Sequence, residues 1–152
     1  MRHRRRVPLF FALALPLFAQ AEPSGSLSAA WIRALPPTQS MTAAYVDIHN
    51  TGDAPLTVTG ATVAGAGRAE IHVTREEGGR TRMERLTTLT VAPGATESLA
   101  PGGKHLMLFD LDRMPRPGET RQLCVILAPQ GQLCTEAQVS RDGPGQDHAG
   151  HH

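Results

Sequence analysis

The sequence predicts an all-β fold, a sandwich or barrel of about eight or nine short strands. Three observations carry this. Apolar and polar residues alternate in short runs, the period of a strand. Glycines and prolines, 15 and 12 of them in 152 residues, punctuate the chain between those runs. No stretch shows a 3.6-residue apolar period of useful length. Regularly spaced short strands close into sandwiches or barrels, and the length fits one domain at most.

The chain opens on Met1-Arg2-His3-Arg4-Arg5-Arg6, an apolar run from Val7 to Ala19, and Ala19-Gln20-Ala21. This order of basic, apolar and small residues predicts a signal peptide over residues 1–21, cleaved after Ala21. The apolar run is shorter than the ~20 residues that span a bilayer. The expectation is a protein exported to the periplasm, with no membrane span once the signal is cleaved. Losing Arg2, Arg4, Arg5 and Arg6 from 15 basic residues leaves 11 against 14 acidic ones, a formal charge of −3. That balance leaves no basic patch for nucleic acid.

The expected domain covers residues 22–140. Leu27–Leu35 reads as the first strand, with Trp31 as its core anchor, ended by Pro36-Pro37. Thr42–Asn50 alternates and forms the second. Thr51-Gly52-Asp53-Ala54-Pro55 turns the chain, and Leu56–Ala64 returns. Ala69–Thr74, Thr81–Leu86, Leu89–Val91 and Thr96–Ala100 follow, separated by Glu76-Glu77-Gly78-Gly79 and Pro93-Gly94. Pro101-Gly102-Gly103 leads into Lys104–Leu108. Thr120–Leu127 and Leu133–Val139 form a closing hairpin. Residues 141–152 read as a disordered tail bearing Gly and His.

The residues that carry chemistry lie on these strands. His105 and Met107 are two apart, so they share a face, while Leu106 and Leu108 point into the core. Ile71 and Val73 flank His72 and point away from it. Met83 sits among Thr81, Arg82, Glu84 and Arg85. A lone methionine usually fills a core gap, and a lone histidine is usually a surface group. Here the alternation places three of the four side chains off the apolar face together. Thioether sulfur is soft and neutral, and imidazole also suits copper. Four neutral ligands favour a monovalent ion. The set His72, Met83, His105 and Met107 therefore predicts a Cu(I) site.

The spacing His-x10-Met-x21-His-x-Met resembles the signature of the PCu(A)C-type periplasmic copper chaperones. Ala43–Gly52, Glu70-Ile71-His72 and Pro101–Leu108 resemble further segments of that family, and the similarity runs from about Leu27 to Val139. The resemblance implies a cupredoxin-like Greek-key β-fold and Cu(I) binding. It also implies delivery toward the Cu(A) centre of cytochrome c oxidase, with oxidase subunit II or a thiol-bearing assembly factor as the accepting partner. Phe109 departs from the pattern, since another Met is common there. Cys124 and Cys134 lie outside it.

Cys124 and Cys134 fall on the two arms of the closing hairpin. An exported compartment permits a disulfide. A four-residue loop, however, sets Leu127 opposite Cys134 and Ala128 opposite Leu133. That register does not put the cysteines across from each other, and disulfide geometry is restrictive, so the bridge is left open. His148, His151 and His152, with Asp147 nearby, offer nitrogen and oxygen but no sulfur. They are candidates for an accessory Cu(II) site. His49 beside a turn reads as a surface residue.

No Ser-His-Asp set, nucleotide loop or paired carboxylates in apolar walls is visible, so the expected function is carriage without catalysis. Copper buffering for tolerance is an alternative to delivery. A cupredoxin electron carrier would need a cysteine ligand from the closing hairpin. An immunoglobulin-like adhesion module would bind no stoichiometric copper.

Overall fold

The computed structural model describes residues 23–129 and 131–144. The expected signal peptide, residues 1–21, and the histidines of the tail lie outside them. Ten strands form: β1 (Gly25–Arg33), β2 (Thr42–Asn50), β3 (Leu56–Val63), β4 (Ala66–Glu77), β5 (Arg80–Leu86), β6 (Leu89–Val91), β7 (Thr96–Leu99), β8 (Lys104–Leu111), β9 (Thr120–Ala128) and β10 (Gln132–Ser140). That is one or two more than the sequence suggested, and no described residue is helical.

Seven strands close a barrel in the order β4-β8-β2-β1-β10-β9-β3, with β3 meeting β4 again at Ala61 and Ala69. The other three sit outside the ring, β5 on β4, β6 on β3 and β7 on β2. Only β1 and β10 run parallel. Closure leaves the barrel strands without free edges.

Alternation fills the barrel. Ile32, Val46, Ile48, Val58, Ile71, Leu106, Leu108, Leu123 and Val125 are almost fully buried in one cluster. Truncating such a side chain to Ala costs about 2–5 kcal/mol. Ile71, Leu106 and Leu108 thus take the inward positions the pattern assigned to them. Their strand neighbours at 72, 105 and 107 face outward.

Two expectations are corrected here. The first strand is Gly25–Arg33, and Trp31 is buried without belonging to the barrel core. The β1–β2 register shifts between Ser28 and Trp31, with Ala29 at φ +50°, and this sends Ile32 inward. Trp31 packs instead on Tyr45, ring centroids 4.4 Å apart.

The closing hairpin also differs. Leu127 N–H donates to Gly131 C=O at 2.9 Å, and Gly131 has φ +111°, a conformation that suits glycine. Gln132 therefore enters the ladder opposite Ile126, and Cys134 lies directly opposite Cys124. The two are joined in a disulfide with Cα atoms 4.0 Å apart.

Candidate metal centre

Strands β5, β4, β8 and β2 lie side by side and present one outward face. The register pairs His72 with His105 and Glu70 with Met107 across β4 and β8. It pairs Thr74 with Met83 across β4 and β5, and Ala43 with Met107 across β2 and β8. Residues 70, 72 and 74 share a face, so all four sequence-predicted side chains lie on that face.

The backbone explains each position. Gly78 and Gly79, both at positive φ, close the β4–β5 hairpin, the turn that suits right-twisted strands. All of β5 except Leu86 is exposed, so Met83 is carried on an arm beyond the barrel and is 61% exposed. Ion pairs between Arg75 and Glu84 and between Arg82 and Glu77 flank it. The Pro101–Gly103 turn is tied to β4 by Thr74 N–H donating to Gly103 C=O at 3.2 Å. That contact sets the start of β8, where His105 is buried at 5% exposure and Met107 is half-buried.

Met83, His105 and Met107 line one cavity of about 270 Å³. His72 is not in its wall, but its ring centroid lies 6.0 Å from that of His105 and 6.2 Å from that of Phe109. Tyr45, Arg33, Thr74, Gly102 and Met41 complete much of the wall. The Arg33 guanidinium lies 5.5 Å from the Trp31 centroid and 5.4 Å from that of Tyr45. A fixed positive charge there disfavours a doubly charged ion more than a singly charged one. Burial pushes the Tyr45 hydroxyl up from the ordinary phenol range, so it stays neutral.

The hydrogen bonds fix which nitrogens are free. His105 Nδ1–H donates to Gly103 C=O at 3.0 Å, since a carbonyl can only accept, and this leaves Nε2 with its lone pair. His72 Nε2–H donates to Glu70 Oε2 at 2.9 Å. The His72 ring N–H, and next the Arg68 guanidinium, hold the Glu70 carboxyl below the usual carboxylate range, so Glu70 accepts. The lone pair of His72 is therefore on Nδ1. That atom is buried and has no hydrogen-bond partner among the described residues. A buried unsatisfied polar atom costs about 1–3 kcal/mol, and a metal ion would satisfy it.

Among the described residues, no group of three or more His, Cys, Asp or Glu is placed to hold a metal. The two cysteines, joined to each other on β9 and β10, do not line the cavity. Any metal held here would need the thioethers. Two contributors were not singled out as site residues from the sequence. Glu70 orients His72, and Met41 enters the cavity wall from the residue before β2. The alternation that puts Thr42 inward and Ala43 outward also sends Met41 outward, and that was the available signal.

His49 lies beside the turn as expected, with both ring nitrogens bonded, to Ser28 Oγ at 2.6 Å and Thr96 Oγ1 at 2.7 Å. It is remote from the four-strand face in sequence register, opposite Ser26 on β1 and Thr96 on β7.

Residues 26–139 match the family described as "Putative lipoprotein LpqE-like". Solved PCuAC domains share the fold. The copper-bound PCuAC domain from PmoF2 superposes with a TM-score of 0.65 at 21% identity, over 80% of this chain and 96% of that one. The chain belongs to the LpqE-like, PCuAC-type family. Its barrel is thus cupredoxin-like, as the resemblance implied. DR1885 from Deinococcus radiodurans is 27% identical in both its solution structures. The apo form has a TM-score of 0.60 and covers 93% of this chain and 97% of that one. The form titled CuI-DR1885 has a TM-score of 0.61 and covers 83% of each chain. A curated relative, "Putative lipoprotein Lxx21020" of Leifsonia xyli subsp. xyli (strain CTCB07), is 38% identical over 86 residues, or 56% of this PCuAC-type chain. The chain matches about half the length of that relative, 51%.

Proposed function

We propose that this protein is a copper chaperone that carries one Cu(I), bound by His72, Met83, His105 and Met107. The observation that carries the reading is the unpartnered, buried Nδ1 of His72 beside His105, on the face that also presents two thioethers. Two imidazoles and two thioethers are neutral and soft, a set suited to Cu(I) and poor for Zn(II), Mg(II) or Ca(II). Glu70 orients His72 and fixes its tautomer, the usual office of a carboxylate behind a metal-bound histidine. The likeness to copper-bound PCuAC domains and to CuI-DR1885 supports the same cargo.

The protein acts by binding and release, without catalytic turnover. Met83 on its exposed arm leaves the metal open to an incoming ligand. The recipient is a copper-accepting protein such as cytochrome c oxidase subunit II or a thiol-bearing assembly factor, met in the periplasm after cleavage of the signal peptide at residues 1–21. The lipoprotein descriptions of the family and of the relative support export. Among the described residues, no helix is long and apolar enough to cross a membrane. The disulfide speaks against a blue-copper electron carrier, which needs a thiolate ligand. The tail histidines His148, His151 and His152 supply a weaker, accessory Cu(II) site.

Anaerobic Cu(I) titration against a competing chelator, followed by X-ray absorption, tests the reading. It expects one equivalent with nitrogen and sulfur neighbours in equal number. No Cu(I) uptake, or a shell of nitrogen and oxygen only, would overturn it.

A further inference from the structure

We propose that Met41 is a fifth copper-binding side chain, an exchange ligand through which Cu(I) enters and leaves the four-ligand site. The inference rests on the function proposed above and adds a residue and a step to it.

Exposure gives the first observation. The exposed large apolar side chains among the described residues are Met41, Met83 and Ile126. Two of these three are methionines, and both line the cavity that holds His105 and Met107. The described residues contain four methionines, of which Met114 alone is outside that wall and is buried at 9% exposure. Core-filling methionines would be inside. These three are gathered around one opening.

Register gives the second. Thr42 is 2% exposed, and its hydroxyl donates to Arg33 C=O at 2.6 Å. That bond pins the start of β2 and fixes the alternation, so Met41 and Ala43 face outward. Ala43 pairs with Met107. Met41 is then the diagonal neighbour of Met107, ~7–8 Å away between backbones, within reach for long side chains. Met83 approaches from β5 at one end of the four-strand face, and Met41 approaches from β2 at the other. Met41 also lines the adjoining cleft with Phe109 and Met114, so it stands on the rim between the copper cavity and open surface.

The chemistry is ligand exchange. A Cu–S bond to Met41 forms as the Cu–S bond to Met83 breaks, and the reverse follows on loading. Both donors are neutral thioethers, the metal remains Cu(I), and no proton or electron moves. Cu(I) accepts such substitution readily because soft neutral donors are nearly interchangeable to it. The four-ligand site sets affinity, while Met41 sets the rate at which the metal is passed on.

The test uses the full chain, Cu(I) alone as the cargo, and a chromophoric Cu(I) chelator as the acceptor. Met41→Leu keeps size and apolarity and removes the sulfur. Stoichiometry and affinity should stay close to those of the parent, while transfer to the chelator slows by about fivefold or more. Met41→His restores a neutral donor and should recover most of the lost rate. A Met41→Leu protein that hands over copper at the parent's rate overturns the proposal, as does a Met41→His protein no faster than Met41→Leu. Loss of the fold in Met41→Leu would make Met41 a packing residue and overturn it too. A parent that takes up no Cu(I) overturns the proposed function as well, whereas a parent that loads normally confines the failure to Met41.

Discussion

His72 and His105 stand directly opposite each other on β4 and β8, and each ring turns a different nitrogen loose. The Gly103 carbonyl claims Nδ1 of His105, and the Glu70 carboxylate claims Nε2 of His72. Two acceptors of different origin, a turn and a strand side chain, thus prepare two complementary lone pairs. Preparation of this kind would lower the cost of ordering the proposed ligands around a metal.

Glu70 should matter to copper without touching it. Glu70→Gln removes the charge shared with Arg68 and Arg85 and lets an amide N–H compete at His72. Cu(I) affinity is expected to fall about 10–100-fold, the usual cost of losing a carboxylate behind a ligand. Chelator competition measures it. An unchanged affinity would mean that His72 is oriented by something other than Glu70.

Met83 should behave as a ligand and not as core. Its side chain is 61% exposed, so Met83→Ile should leave the melting temperature of the apo-protein nearly unchanged. Cu(I) affinity should weaken by about tenfold or more, about 1.4 kcal/mol. Unfolding with unaltered copper affinity would reverse the assignment.

Strand positions and the faces of the candidate ligands were legible in the sequence because both follow from a period of two. Leu106 and Leu108 inside, with His105 and Met107 outside, required only alternation. What alternation cannot show is a register between distant strands. The contact of His72 with Glu70 is local, yet its meaning depends on β8 lying beside β4. Met41 falls one residue before the predicted strand at Thr42, outside the run whose alternation assigns faces. Trp31 was misplaced because the β1 register shift reverses the faces. The cysteine register failed for a related reason: the turn closes at Gly131, so the ladder is displaced from the one a four-residue loop at 129–132 would give.

Acid should loosen the barrel at the β8–β9 connection before it disturbs the core. The Arg113 backbone N–H, and then Arg121, hold Asp112 below the usual carboxylate range, while the Arg113 side chain does the same for Glu119. Folded-state values below the unfolded ones mean that this stability is fully present above the unfolded pKa of ~4 and fades as pH falls through the folded values. Both carboxylates retain solvent contact, so the effect is modest. Apo-protein melting should be flat around neutral pH and decline below about pH 4. Asp112→Asn should lower the neutral plateau slightly and shallow the decline.

The disulfide should stabilise the fold and leave the copper site alone. It closes a loop with a sequence separation of 10, for which about 2–4 kcal/mol is typical. Replacing both cysteines with Ala should lower the melting temperature by about 5–15 °C. Cu(I) stoichiometry should not change, because neither cysteine lines the cavity. A drop in copper loading would tie Cys124 and Cys134 to the site.

The last prediction concerns the tail histidines and the oxidation state of the metal. His148, His151 and His152 lie outside the described residues, so their role rests on chemistry alone. Imidazole nitrogen with a nearby carboxylate, Asp147, suits Cu(II), whereas the two sulfurs of the barrel site suit Cu(I). Ordering a chain segment around a metal costs ~1–2 kcal/mol per fixed residue, so affinity there should be modest. The deletion that tests this must spare the body. Gly143 N–H donates to Ser140 Oγ at 2.9 Å, and a Cβ on Gly143 would sit 3.3 Å from the Trp31 ring. Removal of Arg141–Pro144 would therefore uncover Trp31 and confound the result. Truncation after Pro144 avoids that. The truncated protein should lose most of its Cu(II) uptake while keeping its Cu(I) uptake and apo melting temperature. Unchanged Cu(II) uptake would show that the tail takes no part in binding the metal.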